Sequence, residues 1–511
     1  MRHNSAMMKR VETYLLTHRA AAFLCCLLTS ALILMFCTKS SFLYPLNDWE
    51  DANIIYTLGR GMLRGRVPFL DLYDQKGPLA YFVYGLGSLV SPRSFFGLYL
   101  IETLCFAGFL YNSGRILKLY GCKHGVFCVP LLGALVASAM SFTHGGSLEE
   151  LSLPLLSFSL YESLRYYKTS YPAPMPFWRV LLHGFFAGCL LWMKYTMLGF
   201  YLAWMAVLFF ALLAAKRTGR AFACCGVFLS GMALSSLPWL LYFYWNQALP
   251  ELFRFYFINN IFGYGDGASR GLLRVLLDIG QDTLATFYRN AQYSVLIALG
   301  VLYQTFSREP GKKPVETWNL WALCVTTCAF IYIGGQGYRY YGLVLSVFAP
   351  LGLVPLLRLF SEKLEPRLSG RRILGALPAL LLAVSLALCP LLSDNTYLLG
   401  AKKEALPQYR FAAIMRERAR QSPITLVCYQ MMDSGFYLTA GYEPEFRYYT
   451  RLNVAGDEIR AAQDGYVRDG IAEFLVTQES GYAPEGYELL AESSYWYEEH
   501  RPIYYLYQRV G

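Results

Sequence analysis

Residues 180–215 read VLLHGFFAGCLLWMKYTMLGFYLAWMAVLFFALLAA, 36 residues whose only charged side chain is Lys194. A helix crossing about 30 Å of hydrocarbon needs about 20 apolar residues, so one helix cannot use this run. Two can, if the chain turns near Trp192 to Met197 and carries Lys194 at the turn. Working outward, further apolar runs cover about 20–37, 95–114, 125–142, 149–164, 221–243, 290–306, 317–334, 340–357 and 373–391. With the long run counted twice, the sequence predicts a polytopic α-helical membrane protein of about eleven spans. Composition agrees, since the 511 residues are 55% hydrophobic and only 16% charged, against roughly 45–50% and about 25% in soluble domains.

Charge is divided unevenly along the chain. Residues 394–511 hold 12 basic and 17 acidic side chains, and the preceding 393 hold 33 basic and 18 acidic. The basic excess falls in short alternate connections: Arg115, Lys118 and Lys123; Arg165, Lys168 and Arg179; Lys216, Arg217 and Arg220; Arg308, Lys312 and Lys313; Arg358 to Arg372. That alternation is the positive-inside pattern, and it predicts a cytoplasmic amino terminus with 39–94, 244–289 and 394–511 outside. A nucleic-acid partner is not needed to explain the net +10. The cysteines sit almost entirely in apolar runs, where they act as small hydrophobes, and no Cys/His spacing fits zinc. No outer asparagine forms a glycosylation acceptor, which leans toward a bacterial plasma membrane.

The first outer segment, 39–94, is rich in chemistry. Asp51 to Arg66 places Ile54, Ile55, Leu58, Met62 and Leu63 on one helical face, and Pro68 is expected to end the helix. A second helix, Pro78 to Val90, is too short to span, with Leu79, Phe82, Val83 and Leu86 expected inward. Around them lie Asp48, Glu50, Asp51, Asp71, Asp74 and Lys76. Outer-rim carboxylates can take a proton from an attacking hydroxyl, and a lysine can hold a phosphate leaving group. Helix capping is the competing reading for Asp48 and Asp51. Within the spans, Glu102 is costly in lipid and is a functional or hydrogen-bonded buried group; Lys194 either touches a phosphate or snorkels. His144 and His183 read as structural.

The stretch Asn47-Asp48-Trp49-Glu50-Asp51, then Tyr56, Gly61-Met62-Leu63, Val67-Pro68-Phe69, Asp71 and Asp74-Gln75-Lys76-Gly77-Pro78-Leu79 resembles the first outer loop of GT-C membrane glycosyltransferases. The branch it is most similar to is the family 39-like enzymes related to protein O-mannosyltransferases and aminoarabinose lipid A transferases. Gly146-Ser147-Leu148-Glu149-Glu150, the Gly184 to Tyr195 stretch, and Gly337-Tyr338-Arg339-Tyr340-Tyr341 fit in order, and the resemblance covers about residues 20–360. It implies a GT-C-like fold and an inverting transfer of a sugar from a polyprenyl-phosphate donor to an envelope lipid, glycan or protein. It further implies Asp51, with Asp48 in reserve, as the base, supported by Glu149 or Glu150. Lys76, Arg339 and Lys194 would meet the donor phosphate, with Asp74 and Tyr338 beside the substrate. This chain has Lys-Gly-Pro-Leu where many members have Lys-Pro-Pro-Leu, and Tyr-Arg-Tyr-Tyr where many have His-Tyr. No cofactor is implied with certainty, and a divalent cation is compatible with the acidic loops.

Two domains are expected: 1–393, spanning the membrane, and 394–511, a small outer α/β domain. In the latter, Tyr409 to Arg420 reads as helix, and Ile424 to Tyr429, Phe474 to Thr477 and Tyr504 to Tyr507 as strands, with 455–469 as the crossover helix. A flippase or transporter of lipid-linked sugars is the rival function. It would place ionisable residues near the midplane and break its helices, whereas here the acidic cluster lies in outer loops.

Overall fold

A computed structural model describes residues 2–262, 271–368, 373–420, 423–454, 456–497 and 500–510. The fold is a polytopic helical membrane protein with a small carboxyl-terminal sheet. In chain order the first ten helices are α1 (Arg2–Thr17), α2 (Arg19–Cys37), α3 (Glu50–Leu63), α4 (Pro78–Val90), α5 (Phe96–Leu119), α6 (Gly125–Ala137), α7 (Leu148–Arg165), α8 (Phe177–Leu191), α9 (Leu198–Ala214) and α10 (Thr218–Trp245). Every expected apolar run falls on a helix. The 180–215 run is α8 and α9, broken at Trp192 to Met197 with Lys194 in extended backbone at the break. By length and composition, four helices among the described residues can each cross a membrane alone: α2, Tyr195–Ala214, α10 and Gly375–Leu392. A fifth does so if Arg339–Phe348 and Pro350–Arg367, bent by 46°, are one span.

The chain forms two compact units that cut across its order. The first comprises residues 1–38, 101–237 and 270–394, and the second 39–100, 238–269 and 395–511. In the first, apolar helices are joined by close backbone contact and buried polar pairs. A Cβ on Gly184 of α8 would lie 2.0 Å from the Phe228 carbonyl oxygen of α10. Buried Ser163 donates to Asn319 Oδ1 (2.8 Å), and Ser159 joins His183 (3.0 Å) to Tyr201 (2.8 Å). His183 is thus held in a polar contact inside the bundle.

In the second unit α3 and α4 pack directly. A Cβ on Gly59 would meet the Tyr81 carbonyl oxygen at 2.4 Å and the Gly85 nitrogen at 2.6 Å, so only glycine permits this approach. Helix α3 ends at Leu63 rather than at Pro68, because Gly65 takes the left-handed conformation (φ 91°) and turns the chain first. Arg60 is buried and donates to the Tyr442 carbonyl, with Glu443 at 3.5 Å. Helix α4 has the expected bounds, but its faces are inverted. Ala80, Tyr81, Tyr84 and Gly85 are buried, whereas Phe82, Leu86, Leu89 and Val90 are exposed. Beside lipid the apolar stripe gains nothing by turning inward, and small side chains are what allow helices to approach.

The sheet belongs to the same unit: β1 (Leu426–Cys428), β2 (Phe474–Thr477), β3 (Tyr487–Ser494) and β4 (Ile503–Arg509), in the order β1-β2-β4-β3. Strands β1 and β2 are parallel, as the crossover helix Gly456–Arg468 requires, and the other two pairings are antiparallel. Val427, Val467, Ala472, Leu475 and Tyr507 form its core. The first outer segment is bound to this tail by Arg64–Glu443, Arg66–Glu445 (2.8 Å) and a backbone bond from Tyr73 to Arg447 (3.0 Å).

Candidate functional site

The acidic residues of the first outer segment separate into two environments. Asp48 lies just before α3 and is 1% exposed. It is ion-paired to Lys39, itself wholly buried. Tyr397 Oη donates to both carboxylate oxygens (3.1 and 2.8 Å), and Tyr495 Oη to one (3.2 Å). Lys39 also donates to Tyr397 Oη (2.8 Å) and lies over the Tyr397 and Tyr497 rings at 5.1 and 5.4 Å. Every oxygen of this carboxylate is occupied by a buried donor. Nearby Glu50 accepts from Tyr497 Oη at 3.4 Å. Burial raises its carboxyl to about 7, and the Asp48 and Asp51 charges add to the rise against the pull of Lys39.

Asp51 and Lys76 differ. Their side chains are 14% and 15% exposed, and Lys76 Nζ is 3.1 Å from Asp51 Oδ1. Neither Asp48 nor Asp51 caps the helix: the N-cap is Trp49, with no side-chain capping bond. Asp74, on the loop that carries Lys76, is buried and accepts from Tyr81 Oη (3.1 Å). Burial pushes its carboxyl up while Lys76 holds it down. Tyr81 is shared with the Lys76 carbonyl (2.8 Å), and Asn260 Nδ2 donates to the Gln75 carbonyl (2.7 Å), so the backbone around the lysine is fixed on both sides. Asp71 is not in this group; it accepts from the Val67 amide (2.6 Å) and staples its own loop.

The remaining expected residues belong to the first unit. Glu149, 2% exposed, is ion-paired to Lys194. The Lys194 ammonium lies 3.6 Å from the Tyr341 ring centre and 4.9 Å from that of Tyr340. Tyr338 stacks on Tyr340 (5.8 Å), and Arg339 begins the Arg339–Phe348 helix between them in sequence. Glu150 closes a capping arrangement instead: its amide bonds Ser147 Oγ (3.1 Å) and its carboxylate accepts from the Gly146 amide (2.9 Å). Glu102 is buried in α5. Lys76, Asp51 and Asp74 are therefore one group, and Lys194, Glu149, Tyr340 and Tyr341 another.

Lys39, Tyr397, Tyr495 and Tyr497 are not legible as site residues by motif. Lys39 carries a signal nonetheless, because it follows α2 on the side where basic residues are not expected. Among the described residues, no group of three His, Cys, Asp or Glu side chains is placed to hold a metal ion.

No family model matches the chain, and no curated protein does. Solved structures of ArnT from Cupriavidus metallidurans are similar over nearly its whole length. The apo structure has a TM-score of 0.59 at 13% identity, covering 96% of this chain and 98% of that one. The structure bound to undecaprenyl phosphate has a TM-score of 0.57 at 13% identity, covering 94% and 97%. The chain thus has the GT-C-like fold that its first outer loop resembles.

Proposed function

We propose that this protein is an inverting glycosyltransferase that moves a sugar from a polyprenyl-phosphate donor to an acceptor hydroxyl at the outer face of a bacterial plasma membrane. The observation that carries the reading is the Lys76–Asp51 pair, a cation and a carboxylate 3.1 Å apart and both partly open to solvent. Support for the donor class comes from the fold shared with ArnT, one structure of which holds undecaprenyl phosphate.

The donor's phosphodiester, a singly charged anion like the Asp51 carboxylate, takes that carboxylate's place on Lys76, and the contact tightens as the departing phosphate gains its second charge. Asp51 is then released beside the acceptor. The acceptor oxygen attacks the anomeric carbon, its bond to the phosphate oxygen breaks, and the configuration inverts. The hydroxyl proton passes to Asp51, and polyprenyl phosphate leaves on Lys76. No covalent glycosyl intermediate is needed, so one carboxylate suffices. Asp74 and Tyr81 hold the lysine's loop. In the first unit, by itself, Glu149 sets the position of Lys194 against the Tyr340 and Tyr341 rings. Asp48 has no catalytic part, since its oxygens are already occupied.

The test is turnover of a polyprenyl-phosphate sugar by purified protein. Lys76→Met should weaken donor use about ten- to a hundred-fold, and Asp51→Asn should lower turnover about a hundred-fold with unchanged thermal stability. Wild-type turnover in both removes the pair from the chemistry. Lipid-linked sugars accumulating in a deletion strain identify the sugar by mass spectrometry. Reporter fusions at Lys216 and Gly400 should read cytoplasm and exterior.

A further inference from the structure

A second feature lies wholly in the first unit. Helices α2, α5 and α6 enclose a cavity of about 930 Å³, at the upper end of the ~300–1,000 Å³ typical of small-ligand sites. Its walls are apolar, with Leu28, Leu32, Val129 and Leu382 among them. Its cations are Arg19, Arg115 and Lys118.

The charges are gathered at one end. Arg19 begins α2, and Leu32 is the last α2 residue on the wall, thirteen positions on; at 1.5 Å per residue that is about 20 Å, enough to run through one ~15 Å half of a ~30 Å hydrocarbon layer and reach its interface. Arg115 is fixed there, its guanidinium 3.8 Å from the Tyr161 ring centre and bonded to Asn112 Oδ1 (3.1 Å). Its carboxylate partner is shared: Glu162 is 3.6 Å from Arg115, 2.7 Å from Arg165 and 3.6 Å from Arg179. One carboxylate among three guanidiniums leaves the cluster positive. Lys118 spends one proton on the Leu16 carbonyl (2.6 Å), and Arg19 is exposed.

We infer that this groove binds an anionic glycerophospholipid, its acyl chains along α2 between α5 and α6 and its phosphate on Arg19, Arg115 and Lys118. A leaflet-deep apolar slot with cations at a single end has the shape and charge of such a lipid. Its lining includes neither Lys76 nor Lys194, and the inference does not depend on the transferase reading.

Titration of the delipidated, full-length protein with phosphatidylglycerol and with phosphatidylcholine of the same chains, read by native mass spectrometry, tests it. One phosphatidylglycerol should bind more tightly than phosphatidylcholine by at least tenfold. Each neutralised cation should cost about fivefold, so Arg19→Gln/Lys118→Gln should weaken phosphatidylglycerol about 25-fold and phosphatidylcholine, whose choline offsets its phosphate, by less. Gly114→Leu should expel both lipids, since a Cβ there meets only Val129 Cγ2 at 3.6 Å and the new side chain enters the groove. Equal affinity for the two lipids, or an undiminished preference in Arg19→Gln/Lys118→Gln, overturns the inference. So does displacement of the bound phosphatidylglycerol by a polyprenyl phosphate at equal concentration. If Gly114→Leu does not fold, the exposed double variant still decides.

Discussion

Replacing Asp48 by Asn strands the Lys39 ammonium in a site where lysine and aspartate are 0% and 1% exposed. Removing one partner of a buried pair costs about 3–5 kcal/mol, because the charge left behind has neither water nor counter-ion. Lys39→Met should cost less, about 2 kcal/mol, since Tyr397 and Tyr495 still donate to the carboxylate. The double variant Lys39→Met/Asp48→Asn leaves no buried charge, and the tyrosines keep an acceptor in the Asn oxygen. It should cost no more than Asp48→Asn alone, giving a coupling of about 2–3 kcal/mol between the two sites. Chemical or thermal unfolding of the four proteins in detergent measures that coupling, and donor turnover measured alongside should remain near wild type in the double variant. Two results would refute the reasoning: costs that add to within about 0.5 kcal/mol, or a stable Asp48→Asn protein that is inactive.

Glu50, raised to about 7 by burial, binds a proton in the folded state that it lacks in the unfolded chain between about 4.5 and about 7. Stability should therefore fall as pH rises through that window, by up to about 3 kcal/mol at 1.36 kcal/mol per pH unit, and Glu50→Gln should flatten the profile. A parallel profile in the variant excludes Glu50 as the source. His124 is raised by its hydrogen bond to Glu12 on α1, with burial opposing; Glu12 and Glu365 lie 3.1 and 3.5 Å away. Its contribution is complete below the ordinary imidazole value and is lost as pH rises through the raised one, so the protection of amides in residues 2–17, taken relative to the intrinsic base-catalysed rate, should fall as pH rises. Protection there that does not change with pH, or changes equally in Glu12→Gln, speaks against the contact. Gly59→Ala puts a Cβ against two backbone atoms of α4 and should destabilise by about 1–3 kcal/mol in unfolding measurements. A neutral result there means the two helices do not approach as described.

Much of this architecture was legible because it follows from local pattern. The α8–α9 break with Lys194, the bounds of α4 and three of the four strands required only run length, turn residues and alternation. Strand β3 escaped because the register slips between Leu489 and Ala491, which destroys the period of two. The face of α4 was inverted because inward burial of apolar groups is a rule for water. In the candidate site, Asp51, Asp74 and Lys76 were found together and lie together. The role of Asp48 was not decidable from sequence, since it rests on Lys39 and on tyrosines from the other end of the chain. A charged residue means one thing beside solvent and another beneath two phenols.

Asp48 and Tyr495 are separated by 447 positions. At about 5–20 residues per second, the ribosome adds the second roughly 20–90 s after the first. Through most of that interval the nascent loop holds its aspartate and lysine with only each other, Tyr397 following after 349 positions and Tyr495 last. The loop thus cannot settle until the carboxyl-terminal tail has been made and has folded against it. A chain stalled or clipped late in synthesis would present an unfinished loop to proteases, while the full-length protein would hide it.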